Sequence, residues 1–450
     1  MKAVVYSGYG IMPELRQVAD PACPPDGVVI AVGASGVCRS DWHAWKGHDP
    51  VGLPHIGGHE LAGVVAHTGP EVARWRAGDR VTVPFVCGCG RCEYCLAGDA
   101  QVCPRQTQPG FTGPGSFAEL VAVHAADANL IPVPDAVDFV AAACLGCRFA
   151  TAFRALTAHG RIQAGEWLAV HGCGGVGLSA VLIGAALGAR VVATDVAAPA
   201  LNRARELGAE FAVDAGACDP AAVIGEITAG GAHVSVDALG SPATAACSVR
   251  CLRRRGRHVQ VGLLLDGPTP IPMDLVVARE LEVYGSHGMA ARDYPPMMAM
   301  VADGVLRPGR LVGRVIGLAE AGRALAAMEG PAEGAGMTVI RLALSSLQVG
   351  REPVGHLRPG LEGVVGQAVA AVRVQHQLGA GRLAGQALGV VGRDQAVPAA
   401  RRDQQRAGDP GRGVLQGQRR RLLARPGLGG CARAVLERGP GLRREDGPVQ

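Results

Sequence analysis

VHGCGGVGLSA, residues 170–180, places glycines at 172, 174 and 177 in G-x-G-x-x-G register. Its surroundings make the motif informative. Residues 167–171 form an apolar run of strand length, and 176–187 read as a helix. In that setting Gly172 permits a tight turn, Gly174 lets a pyrophosphate approach the backbone, and Gly177 lets helix and strand pack closely. The amides that open the helix then face negative charge. Gly175 and Val176 belong to the same turn. Asp195 ends the next apolar run, VVATD, at the distance expected of a ribose contact. A carboxylate there accepts from a 2′-hydroxyl and repels a 2′-phosphate. Val196, Ala197 and Ala198 follow it, with no Arg. The expected cofactor is NAD rather than NADP.

Working outward, strands expected at 167–171, 190–194, 210–213, 234–237 and 256–261 alternate with helices at 176–187, 200–207 and 243–253. That rhythm predicts a parallel sheet with crossover helices. Val261, at the end of one such strand, joins the cofactor candidates. The first 150 residues read differently, with short β-like runs at 3–6, 28–32, 61–67, 80–84 and 118–123 punctuated by Gly, Pro and Asp. A helix is expected at 294–303 and a last strand at 337–342. Residues 342–450 contain no Phe, Tyr, Trp, Lys, Ile, Met, Thr or Asn. They read as a low-complexity Arg/Gly/Gln-rich tail, expected to be disordered. Their composition also fits translation in a shifted frame of a GC-rich gene.

The net charge of +5 comes from that tail, which carries 17 Arg against 8 acids. Residues 1–341 hold 27 basic and 31 acidic residues, which gives no nucleic-acid footprint. The N-terminus lacks a signal-peptide pattern, and no segment reads as a membrane span. A cytoplasmic protein is expected. In that compartment its 14 cysteines read as metal ligands or buried thiols.

GCGRCEYCLAGDAQVC, residues 88–103, sets Cys89, Cys92, Cys95 and Cys103 at C-x2-C-x2-C-x7-C spacing. Four thiolates saturate a tetrahedral zinc and leave no open position, so this zinc would be structural. Gly90 and Gly98 would supply the sharp turns, and Cys87 would be a spare buried thiol. A second set is dispersed. GVCRSDWH (36–43) offers Cys38, Ser40, Asp41 and His43, GGHE (57–60) offers His59 and Glu60, and CLGCRFAT (144–151) offers Cys147. No segment alone separates a ligand from a core residue. Together a Cys, a His and a Cys would give three ligands and an open fourth position, the form of a catalytic zinc site. Asp41 could orient His59. Glu60 could serve as an alternate ligand.

In this order the motifs resemble the medium-chain zinc-dependent alcohol dehydrogenase family, of microbial type, over about residues 1–341. The resemblance implies an α/β protein. Its β-rich GroES-like catalytic domain would be residues 1–148 and 287–341, and its inserted Rossmann NAD-binding domain residues 149–286. It implies two zinc ions per subunit: a catalytic one on Cys38, His59 and Cys147, and a structural one on Cys89, Cys92, Cys95 and Cys103. Ser40 would touch the alcohol oxygen, and the proton would leave through the nicotinamide ribose to His43 while hydride passes to NAD. Arg39 would contact the pyrophosphate, Thr151 would pack near the nicotinamide, and Ser40 and Phe85 would line the substrate pocket, with Trp42 and Trp45 as further candidates. The expected substrate is a small alcohol or its aldehyde or ketone. A polyol or threonine dehydrogenase, a zinc-free quinone or enoyl reductase and a non-catalytic dinucleotide-binding protein are the alternatives. A homo-oligomer is implied, a tetramer ahead of a dimer. One departure stands out: Met337 occupies a place where many relatives carry a basic residue.

Overall fold

The computed structural model describes residues 1–265, 267–330, 335–344 and 435–437. Two sheets organise it. The first is a parallel sheet in the order Glu282–Gly285, Leu252–Gln260, Ala232–Asp237, Trp167–His171, Arg190–Asp195, Phe211–Asp214. Chain order reverses on either side of Trp167–His171, so the glycine turn that follows this strand opens at the switch point where ligands bind α/β sheets. The fold class is the expected one: this Rossmann sheet stands beside a β-rich GroES-like unit.

The second sheet runs Val312–Ile316, Met337–Arg341, Val28–Val37, Glu60–Thr68, Arg80–Thr82, Ile131–Pro132, with Leu120–Val123 also paired to Val28–Val37. Every residue of Val28–Val37 is buried, because neighbours cover both faces and both edges of the strand. A smaller sheet joins Glu14–Gln17, Lys2–Tyr6 and His55–Ile56. The two main units share a core. Leu145, Phe149, Phe153 and Leu156, from the turns that follow Phe139–Ala143, pack with Leu168, Val170, Leu178 and Ile183 of the parallel unit. Among the described residues no helix is long and apolar enough to cross a membrane.

Several expectations need correction. The helix expected at 243–253 ends at Arg250, and the strand expected from 256 starts at Leu252. Arg253, Arg254 and Arg255 are exposed where the strand's register against Ala232–Asp237 shifts, between the Ala232–Leu252 and Val234–Arg257 pairs, and this charge hides the strand in the sequence. Half-exposed strands Glu282–Gly285 and Val312–Ile316 and helices Pro220–Ile227 and Met273–Arg279 were not anticipated. Residues 342–344 continue the ordered chain, with the Leu342 amide donating to Gly33 O at 3.0 Å. From the tail, Val435–Glu437 pairs antiparallel with Phe211–Val213 and extends the parallel sheet to seven strands. The expectation of disorder for 345–434 and 438–450 lies outside the described residues.

The glycine turn shows how tightly two of its residues are constrained. Gly172 has φ +88°, a region that L side chains rarely adopt. A Cβ on Gly177 would lie 1.7 Å from Gly172 O, whereas one on Gly174 would meet nothing within 4 Å. Gly177→Ala should therefore destabilise the protein by about 1–3 kcal/mol or more, and Gly174→Ala by no more than about 0.5 kcal/mol. Denaturant unfolding of the two variants checks this contrast.

Candidate active site

Strand Val28–Val37 delivers the chain to helix Arg39–Lys46, with Cys38 at the N-cap. Asp41, in the helix's first turn, is only 2% exposed and reaches back to the chain around it. Its Oδ2 accepts from the Cys38 amide at 3.0 Å, and its Oδ1 accepts from the Gly58 amide at 3.0 Å and His59 Nδ1 at 2.9 Å. Cys147 arrives on the π-helical turn Leu145–Phe149. The buried Tyr294 hydroxyl donates toward the carbonyls of Leu145 and Gly146 at 3.2 and 3.3 Å and steadies that turn.

One ligand atom each from Cys38, His59, Glu60 and Cys147 lies within 4.8 Å of all the others, with Cys38, His59 and Glu60 buried and Cys147 partly so. His59 Nε2, the nitrogen left over after the bond to Asp41, is buried with no hydrogen-bond partner among the described residues. Such an orphan costs about 1–3 kcal/mol unless something fills the space before it. A zinc ion among this nitrogen and the two sulfurs removes the cost, so the donor set fits the metal. Without a cation the two thiols share a proton unequally. The hydrogen bond from Cys147 holds Cys38 well below the usual thiol range against the effect of burial, and the same bond together with burial raises Cys147. Burial alone would lower His59, but the charge and hydrogen bond of Asp41 outweigh it and raise its pKa.

Glu60 is committed elsewhere. Its Oε1 accepts from the Arg148 amide and Nε at 3.0 Å, and its Oε2 accepts from Nε at 3.0 Å and from Nη2. Burial raises the Glu60 pKa while the Arg148 charge pulls it down. Arg148 was missed in the sequence. A single charge inside the apolar run LGCRFATAF needs a buried partner, and that was the available signal.

The remaining candidates are less closely gathered. Ser40 Oγ lies 3.9 Å from Cys38 Sγ. No hydrogen bond joins Ser40 to His43, whose Nδ1 instead meets His48 Nδ1 at 3.0 Å. Arg39 is exposed, donates to Met328 O at 2.6 Å and lies over the Trp42 ring. Thr151 is buried on helix Ala150–Arg154. The Phe85 ring sits 6.1 Å from His59 and 5.2 Å from His287, and Phe111, unremarked in the sequence, is nearer to His59 at 5.1 Å. Trp45 is core, with Nε1 donating to Ile11 O. Met337 is also core.

The sulfurs of Cys89, Cys92, Cys95 and Cys103 form the other cluster within 4.8 Å. Cys92–Cys95 and Cys92–Cys103 separations are 3.5 and 3.6 Å. The amides of Cys89, Cys95 and Arg105 point at these sulfurs, a geometry that favours thiolates. Gly90 and Gly98 turn the chain at φ +72° and +103°. Cys87 stands apart with its thiol toward Pro84 O, and burial pushes it up to about 12.

At the glycine turn, Asp195 Oδ2 accepts from the Cys173 amide at 2.7 Å and Oδ1 from the Ala197 amide at 2.9 Å, which fixes the carboxylate at the strand end. Val176 is half-buried on the first helical turn, and Val261 is half-buried just past its strand, with its amide on Asp237 O.

Residues 24–135 match the alcohol dehydrogenase GroES-like domain and residues 175–303 the zinc-binding dehydrogenase family. An alcohol dehydrogenase of Geobacillus stearothermophilus is 34% identical over 310 residues, spanning 68% of this chain and 90% of the relative. The chain belongs to the zinc-containing alcohol dehydrogenase family. A sorbitol dehydrogenase of Halalkalibacterium halodurans is 30% identical over 312 residues, 67% of this chain and 89% of the relative. A solved structure of an NAD-dependent alcohol dehydrogenase shares the fold at TM-score 0.69 and 29% identity, covering 76% of this chain and 100% of that one.

Two substitutions separate the clusters. Asp41→Asn should weaken metal retention at the Cys38/His59/Cys147 cluster by about 10–100-fold, measured by chelator competition. Cys92→Ser should lower the unfolding temperature and remove one zinc per chain, measured by calorimetry and elemental analysis.

Proposed function

We propose that the protein oxidises a small alcohol to the aldehyde or ketone, with NAD as hydride acceptor and Cys38, His59 and Cys147 as ligands of the catalytic zinc. The orphaned His59 Nε2, facing two thiols in a buried pocket, carries this reading. Zinc held there would supply a Lewis acid for the alcohol oxygen, and bound NAD would supply the hydride acceptor. Arg148 keeps both Glu60 oxygens engaged, which favours three protein ligands and an open position over a closed set of four. The Phe85 and Phe111 rings lie beside His59 and would limit water there. Ser40 would take the substrate proton and pass it by way of the nicotinamide ribose to His43, whose Nδ1 lies 3.0 Å from that of the exposed His48. The Asp195 carboxylate supports NAD over NADP. Cys89, Cys92, Cys95 and Cys103 would hold the structural zinc.

We place the catalytic unit at residues 1–148 and 287–341 and the cofactor unit at 149–286. Exposed Met273, Val277 and Val283, near the edge strand Glu282–Gly285, support assembly into an oligomer. A polyol substrate is the second reading, favoured by the likeness to the sorbitol dehydrogenase. NADH production over primary, secondary, aromatic and polyol substrates decides between them. An alcohol preference is expected, and a polyol-only profile would replace the first reading with the second.

Cys38→Ala should abolish alcohol oxidation and lower zinc from two to one per chain, and unchanged turnover would remove Cys38 from the site. The relay carries a pH signature. Burial first, then the charges of His48 and Arg39, lower the His43 pKa, while Cys38 and Asp49 oppose them. A base must be neutral to take a proton, so activity should persist as pH falls and be lost only below the ordinary histidine value of 6.5. In His43→Gln that acid limb should flatten, with kcat reduced by up to about 100-fold. A kcat–pH profile of both forms measures this.

A further inference from the structure

Arg148 is only 7% exposed, yet one of its nitrogens is unused. Nε and Nη2 face Glu60, whereas Nη1 has no acceptor among the described residues. Nη1 is not among the sealed, unsatisfied polar atoms, so it retains a path to solvent. Its surroundings are specific. The place that a Cβ on Gly175 would occupy lies 2.4 Å from Arg148 Cδ, 3.1 Å from Nη1 and 3.2 Å from Nε. Gly175 opens the 12-residue helix Gly175–Ala186, whose first amides have no helical acceptor. A nearly buried cation therefore lies against a helix start with one donor to spare. Both features favour an anion at the same place.

We propose that Arg148 is a cofactor-binding residue: Nη1 donates to the diphosphate of the dinucleotide seated at the 172–177 turn, while the other edge of the same guanidinium neutralises Glu60. This rests on the reading that a dinucleotide binds there. Arginine suits the task because its planar fork presents donors along two edges at once, which the single ammonium of lysine cannot do. Glycine at 175 is required for the same reason, since any side chain would displace the guanidinium. Arg148 also follows Cys147 directly in the chain, so one residue joins the cofactor site to the metal cluster.

Arg148→Met alone would leave Glu60 buried without its partner, so the informative comparison is Glu60→Gln against Glu60→Gln/Arg148→Met. The zinc-loaded full-length chain is titrated with NADH, followed by protein fluorescence, and with ADP-ribose, followed by calorimetry. The double variant should bind both ligands at least about 10-fold more weakly than the single variant. Arg148→Lys, which keeps the charge beside Glu60, should also bind both more weakly than the wild type while retaining two zinc ions. Equal affinities within each comparison would overturn the proposal, as would a loss for NADH with none for ADP-ribose. Wild-type protein that binds neither ligand would instead refute the dinucleotide reading, and this inference with it.

Discussion

The site depends on one buried carboxylate. Asp41 accepts the amide of Cys38, the amide of Gly58 and the ring nitrogen of His59, and so ties the end of strand Val28–Val37 to the start of strand Glu60–Thr68. These bonds also fix the histidine. With Nδ1 committed to Asp41, only Nε2 can face the thiols. Full burial makes the arrangement exacting, because a carboxylate in this position is tolerated only when its lone pairs are satisfied.

Around that node the two metal clusters divide the work by geometry. The four-cysteine set is local in sequence, and backbone amides directed at its sulfurs help to order it; its sulfurs fill four positions. The Cys38/His59/Cys147 set draws on three distant segments and needs the whole fold to assemble. Glu60 brings a carboxylate oxygen into the same cluster, with both of its oxygens also held by Arg148. Tyr294 supports the turn that carries Cys147, so residues far along the chain also shape the site.

What could be read from the sequence followed the range of the interactions. The four-cysteine cluster and the glycine turn are legible because their chemistry demands certain residue types at fixed local spacing. The dispersed ligands became legible only through their order along the chain and the resemblance it carried. The Glu60–Arg148 pair spans 88 residues and has no local signature beyond a misplaced charge. Edge strands such as Glu282–Gly285 and Val312–Ile316 lack an apolar pattern because half of each faces water. The Leu252–Gln260 strand was misread because three exposed arginines open it. Ser40 and His43 were expected to act in sequence, yet no direct bond joins them; in the resemblance a cofactor ribose stands between the two.

A metal in the pocket built by Asp41 would be separate from any in the four-cysteine cluster. Anomalous diffraction at the zinc absorption edge, from crystals of the purified full-length protein, tests it most directly. Two peaks are predicted, one among Cys89, Cys92, Cys95 and Cys103 and one among Cys38, His59 and Cys147. A single peak at the four-cysteine cluster, with His59 Nε2 facing no metal, would rule out a metal in the Asp41 pocket.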